Sequence, residues 1–282
     1  MNYTPAKTAD SFRSRTFQCM GTVISLSAPP RPHISAEQAA DELEAATAVV
    51  EQVFDEIDER FSLYRPDSEA SQLARGELHL TNASAVMREQ YAAAIDWRNR
   101  TNGAFDPVRN DGVVDLSGVV KAYAISSAAQ SLHALGVVDW CLNAGGDVLV
   151  SGSPEPRRNE VWQAGIVDPA NPGALIAAHP LSPGRTAALA TSGSAERGDH
   201  IWQRWDYSQV HDHWEAPKPR EGSQEFVQVS VAAADIITAD VLATAVVAGG
   251  HASLRHAADT WDVDILAIQR DGQILATPGF RA

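Results

Sequence analysis

The chain has 282 residues, 44% of them apolar and 21% charged, which is enough to bury a large core and excludes a disordered segment. Its 36 acidic residues outnumber 22 Lys and Arg, and the formal charge of -14 opposes phosphate backbones and anionic lipid, so sequence-independent nucleic-acid binding is excluded. A phosphate-bearing ligand would need local neutralisation by a cation, a few basic side chains or backbone N–H groups.

Residues 1–16 are polar, carry no apolar signal-peptide region and read as an N-terminal extension. No run of about 18 apolar residues follows, so the expectation is a cytoplasmic protein without membrane insertion. Residues 17–27 alternate around Val23, Ile24 and Leu26 and predict a first strand, ended by Pro29 and Pro30. Over 35–61 the residues Ala39, Leu43, Ala46, Val50, Val53, Phe54 and Ile57 recur at spacings of three and four, which predicts a long helix capped by Ser35. Arg65-Pro66-Asp67-Ser68 breaks the pattern, and a second helix over 84–100 stops before Asn102-Gly103. A helix over 115–135 follows, then a strand pair over 140–150 interrupted by Gly145-Gly146, and a strand over 161–167. Residues 203–225 are rich in Gln, Asp, His, Pro and Glu and read as an inserted loop. A strand over 226–232, a helix over 238–249 and strands over 263–269 and 273–276 complete the chain. Helices and strands mix without a βαβ rhythm, which predicts one α+β domain over 17–282. Cys19 and Cys141 are too few for a disulfide framework and read as core thiols.

Asp240 and Thr244, four apart on the last predicted helix, project from one face and give two converging oxygen donors. On spacing alone the plainer account is a helix capped by Thr238, with Asp240 complementing the dipole and Thr244 an interior hydroxyl. Asp115-Leu116-Ser117-Gly118-Val119-Val120-Lys121 couples a small-residue turn to a helix start, where backbone groups and a lysine can meet a phosphate. Gly103-Ala104-Phe105-Asp106-Pro107 and Leu142-Asn143-Ala144-Gly145-Gly146-Asp147 read first as turns. Neither GxGxxG nor GxxxxGK[ST] occurs. His200, His211 and His213 lack the companion ligands of a zinc site, and Ser192 and Ser194 on either side of Gly193 do not make GxSxG.

In order along the chain, these segments resemble the ApbE flavin transferases, the FAD:protein FMN transferase family. The series is Phe17-Gln18-Cys19-Met20-Gly21-Thr22, Arg60-Phe61-Ser62-Leu63-Tyr64-Arg65-Pro66-Asp67-Ser68-Glu69, the 103–107, 115–121 and 142–147 segments, Ala190-Thr191-Ser192-Gly193, His200-Ile201-Trp202, 239–245, Gly272 and Gly279-Phe280.

The resemblance implies an α+β fold that holds FAD in a cleft and transfers FMN, with Mg²⁺, to a Ser or Thr hydroxyl of an acceptor protein, releasing AMP. It implies FAD contacts at Met20, Tyr64, Ala104, Phe105, Asp106, Lys121 and Ile201, a catalytic role for His200, and metal ligation by Gly118 through its carbonyl, Asp240 and Thr244. Two departures stand out. Lys121-Ala122 replaces the family's Lys-Gly, and His200-Ile201-Trp202-Gln203-Arg204 replaces its His-Ile-x-Asp-Pro-x-Thr-Gly. The second implies FAD binding with slow transfer. Alternatives are an FAD-binding protein without transferase activity and an FAD pyrophosphatase releasing FMN and AMP; Asp206, His211, Asp212 or His213 could instead replace the missing carboxylate.

Overall fold

The computed structural model describes residues 13–29, 31, 33–158, 160–193, 205–206, 218–219 and 225–280. A central sheet carries strands β1 (Arg13–Cys19), β2 (Thr22–Ala28), β3 (Trp140–Ala144) and β4 (Asp147–Ser151). It continues through β7 (Ala188–Gly193), β10 (Phe226–Ala233), β11 (Asp264–Gln269) and β12 (Ile274–Ala276), in the spatial order β1-β2-β3-β4-β7-β10-β11-β12. Every pairing in it is antiparallel. Strands β5 (Trp162–Asp168) and β6 (Asn171–Leu181) form a separate hairpin, and β8 (Trp205–Asp206) pairs with β9 (Lys218–Pro219).

Among the described residues five α-helices accompany the sheet: α1 (Ala36–Phe61), α2 (Glu69–Ala74), α3 (Ala85–Arg100), α4 (Ser117–Ala134) and α5 (Ile236–Thr260). Ser35 caps α1 by accepting from the Gln38 N–H, and Ser84 caps α3 through Met87 N. The buried stripe of α1 holds Leu43, Ala46, Val50, Phe54 and Ile57 of the predicted apolar face and extends it to Phe61. It packs on α4, which in turn packs on α5, and one sheet face completes this core with Ile24, Leu142, Ala190, Val229 and Val231. Residues one step along the same strands, Leu189 and Ala232, point to the opposite face. The β5–β6 hairpin covers that face with Trp162, Ala164, Ile166 and Leu181.

The α+β architecture follows the sequence reading, with local corrections. The strand expected over 17–27 is a hairpin that begins at Arg13, and Met20-Gly21 is its two-residue turn, with φ 51° and 70°. Positive φ at both central residues matches the right-handed strand twist, but it is strained for a methionine. Asp235, not Thr238, caps α5, accepting from both the backbone N–H and the hydroxyl of Thr238. The helical backbone is interrupted where the sequence expects its end, at 249: Gly250, with φ 61° and ψ -151°, is non-helical and makes a kink, and a second helical stretch continues to Thr260. By length and apolarity α5 could cross a bilayer, yet 61% of its most apolar window is buried inside the fold.

Four strands escape the sequence reading: β8 and β9 pair within the segment read as an inserted loop, and neither β6 nor β7 is expected at all. β7 consists of small residues with weak strand propensity, Ala188-Leu189-Ala190-Thr191-Ser192-Gly193, yet it lies between β4 and β10. β6 holds Pro172, Gly173 and Pro180, residues tolerated because among the described residues β5 alone pairs with it. Burial pushes the Cys19 thiol up to about 12, helped by Asp58 and Asp55, and the Cys141 thiol up to about 11. Both thiols therefore stay protonated at neutral pH.

On β6, His179 is 3% exposed, with Nε2 3.6 Å from Asp264. Burial holds its imidazole below the ordinary value; Asp264 opposes that shift and Arg185 reinforces it. The unfolded chain then binds the proton near its usual pKa of about 6.5 while the folded chain does not, so this histidine removes stability as the pH falls below about 6.5. Between pH 7 and 5 the melting temperature should fall more steeply for the native chain than for His179→Gln. Parallel slopes in the two melting series would exclude this contribution.

Candidate functional site

Two hairpin turns meet at one end of the sheet. Gly145-Gly146 joins β3 to β4 with φ 62° and 92°, and the Gly145 N–H donates to the Val23 carbonyl at 3.1 Å. A Cβ on Gly145 would run into the Thr22 side chain, so glycine is required both by the turn and by its neighbour. Beside these turns lies the N-terminal end of α4. There a Cβ on Gly118 would come 3.1 Å from the Phe105 ring, so that loop and the helix start touch.

A cavity opens between α4, α5, β7, the 103–107 loop and β5. Ala104, Phe105, Asp106, Gly118, Lys121, Asp240 and Thr244 all line it, together with Asp115, Ser117, Ser192 and Gln228. A second cavity adjoins it, lined by Met20, Ser62, Tyr64, Arg65 and Arg109. Asp115, Ser117 and Lys121 belong to both, so the two form one elongated cleft. The strained Met20 turn faces its outer half, and Tyr64, 95% exposed, stands at that same half. His200 and Ile201 lie outside the described residues, as do Trp202, His211, Asp212 and His213.

The charged groups are fixed by the fold. Lys121 Nζ lies 2.5 Å from Asp147 Oδ2, and the Asp147 side chain is fully buried. Asp147 Oδ1 accepts from the Thr191 N–H on β7 at 3.1 Å. Asp106 Oδ2 accepts from Arg98 Nε at 3.0 Å, and its Oδ1 accepts from the Val108 N–H. That carboxylate therefore holds its own loop while lining the cleft. Asp115 is buried, and its Oδ1 accepts from Ser117 N at 2.9 Å, supporting the start of α4, whose N-cap Leu116 has no side-chain cap.

Asp240 is buried at 5% exposure one helical turn before Thr244, whose Oγ1 lies 3.0 Å from Ser192 Oγ on β7. Gly118 lines the same cavity, and the three residues that the resemblance names for a metal offer one carboxylate, one hydroxyl and one backbone carbonyl. This is hard oxygen chemistry that fits Mg²⁺, which keeps only one or two protein carboxylates and completes its octahedron with water and ligand phosphates. Among the described residues no three His, Cys, Asp or Glu side chains gather as a metal site. A transition-metal centre built on such a cluster has no support there.

Sequence reasoning named the cleft-lining residues on α4 and α5 but missed Asp147, Thr191, Ser192, Asp115, Arg109 and Gln228 as participants. The first four sit within the quoted motifs. A buried carboxylate next to a glycine turn is the signal that could have marked Asp147, since such a group demands a partner. Arg109 and Gln228 carry no comparable sequence signal.

The sequence profile described as the ApbE family matches residues 20–113 and 108–267. A curated relative from Rhodobacter capsulatus, named FAD:protein FMN transferase, is 36% identical over 172 residues. That match covers 60% of this chain and 30% of the relative, so the chain spans under a third of the relative's length. Among solved structures, the flavin transferase ApbE from Vibrio cholerae superposes with a TM-score of 0.67 at 20% identity, covering 96% of this chain and 99% of that one. The ApbE protein from Thermotoga maritima gives 0.71 at 19%, with 96% and 98% covered. The apo flavinyl transferase ApbE of Pseudomonas stutzeri gives 0.68 at 18%, with 96% and 95% covered. These structures share the fold over nearly the whole chain, and with the profile match the chain is a member of the ApbE family.

Proposed function

We propose that this chain is a Mg²⁺-dependent FAD:protein FMN transferase that holds FAD along the cleft and passes FMN to a Ser or Thr hydroxyl of an acceptor protein. The observation that carries the reading is the continuity of two cavities through Asp115, Ser117 and Lys121, with oxygen donors at one end and Met20 and Tyr64 at the other. An elongated dinucleotide needs such a division. Its pyrophosphate needs neutralising groups, and its flavin needs a flat, partly apolar contact. The relative's printed activity supports the same chemistry.

In this reaction the acceptor oxygen bonds to the FMN phosphorus, the pyrophosphate P–O bond breaks with its electron pair going to AMP, and the acceptor loses its hydroxyl proton. When bound, Mg²⁺ held by Asp240, Thr244 and the Gly118 carbonyl would neutralise pyrophosphate charge. The chain's own groups bind and orient. Lys121 contacts phosphate, Tyr64 and Met20 pack against the flavin, and the buried walls of the inner cavity exclude water. The roles that the resemblance implies for His200 and Ile201 belong to this reading.

The His200-Ile201-Trp202-Gln203-Arg204 sequence favours tight FAD binding with slow transfer, because catalysis rests on groups that favour the transition state over the ground state. Incubation with FAD, Mg²⁺ and an acceptor domain, followed by intact mass and AMP release, decides the matter. The expected result is bound FAD with slow, stoichiometric acceptor labelling and matching AMP. AMP without labelled acceptor would make the chain a pyrophosphatase. Bound FAD with neither product would make it a flavin-binding protein, and no FAD binding at all would end the proposal.

A further inference from the structure

We propose that Asp147 is a positioning residue for the FAD site: it does not line the cleft, and it acts by holding the Lys121 ammonium in place. The inference rests on the reading of the cleft as an FAD site. Asp147 is absent from the cavity lining, whereas Gly145 and Gly146 before it and Lys121 beside it are part of that lining. Its carboxylate is fully buried, with Lys121 Nζ 2.5 Å from Oδ2.

Three constraints make Asp147 a rigid anchor. It follows a tight turn that pairs Ala144 with Asp147. Its Oδ1 accepts the Thr191 N–H from β7, a strand in the middle of the sheet. Burial also leaves it no water, so the ion pair is its main compensation. A lysine stem otherwise spreads its charge over many rotamers, and fixing it beforehand removes that ordering cost from ligand binding. β7 extends the arrangement. Thr191 holds Asp147 and the next residue, Ser192, meets Thr244 Oγ1 at 3.0 Å, so one strand indexes both the lysine side and the Asp240/Thr244 side of the cleft.

The pair also leaves the Lys121 side chain only 16% exposed, with Nζ engaged by a fully buried carboxylate. This gives a test on the native chain that needs no FAD. The sequence holds three lysines, Lys7, Lys121 and Lys218, so amine labelling can be read site by site by peptide mass. At pH 8, Lys121 should react with an acylating reagent at least about tenfold more slowly than the amine of Nα-acetyl-lysine amide, since Nζ is held against Asp147 and shielded from the reagent. In Asp147→Asn that protection should be lost.

A double-mutant cycle on the FAD dissociation constant then asks whether Asp147 acts through Lys121. Lys121→Met and Asp147→Asn should each weaken FAD binding by roughly tenfold, and the double variant should be no weaker than Lys121→Met alone within about threefold. Rapid labelling of Lys121 in the native chain overturns the proposal, even where Asp147→Asn does not fold. So do penalties that multiply in the double variant, or Asp147→Asn binding FAD as tightly as the native chain. A native chain that binds no FAD would instead remove the functional reading itself, a result distinct from these.

Discussion

Replacing Lys121 by Met should destabilise the fold by about 3–5 kcal/mol, the loss expected when one partner of a buried ion pair is removed and the other stays behind. The lysine side chain is 16% exposed and Asp147 is fully buried, so water cannot take over the carboxylate. The sequence alone makes Lys121 a solvated surface lysine by default; the fold gives it an internal partner instead. Urea unfolding of the native chain and Lys121→Met at neutral pH measures the difference. Adding Asp147→Asn to the variant should restore much of it, because an amide can still accept the Thr191 N–H while carrying no charge. A Lys121→Met chain within about 0.5 kcal/mol of the native one would show that the buried carboxylate finds compensation elsewhere.

Asp240→Ala should weaken FAD binding in the presence of Mg²⁺ by about 2–4 kcal/mol, a factor of roughly 30 to 1,000. In the proposed Mg²⁺ site Asp240 is the one carboxylate beside Thr244 and the Gly118 carbonyl, so its loss would leave a hydroxyl and a carbonyl that cannot balance a divalent charge. Thr244→Ala should cost less, since a water can replace one neutral donor. Calorimetric titration with and without Mg²⁺ separates the effects: for Asp240→Ala the metal dependence itself should nearly vanish. Unchanged FAD affinity with unchanged metal dependence would return Asp240 to the role of a buried helix carboxylate. The exposed Tyr64 and the Met20 turn are spectators in this comparison, because they line the cavity at the other end of the cleft.

Much of the architecture was legible because it rests on local rules. The period of α1 and its Ser35 cap, the Gly145-Gly146 turn and the i,i+4 pair on α5 are each set by residues close in sequence. The family's segments were legible in their order for the same reason, and the profile match over 20–267 bears out that reading. The elements that failed were those whose conformation is imposed from outside. β7 has little strand propensity of its own and is a strand because β4 and β10 pair with it on both sides. Met20 adopts a left-handed backbone because the register Cys19↔Thr22 leaves two residues for the turn.

The sequence by itself determined which side chains the site could use: Asp240 and Thr244 on one helical face, Lys121 in the first turns of α4, and small residues where turns must be tight. Only the tertiary structure decided their electrostatic state and their company. Ion pairing falls off with distance and depends on exclusion of water, and neither is encoded in spacing along a chain. Lys121 and Asp147 are 26 positions apart, and Ser192 and Thr244 are 52 apart. They meet because antiparallel pairing brings β4 beside β7 and because α4 and α5 pack together above that sheet. The chemistry of the cleft is thus written in local motifs, while the partners that fix its charges follow from burial and strand order.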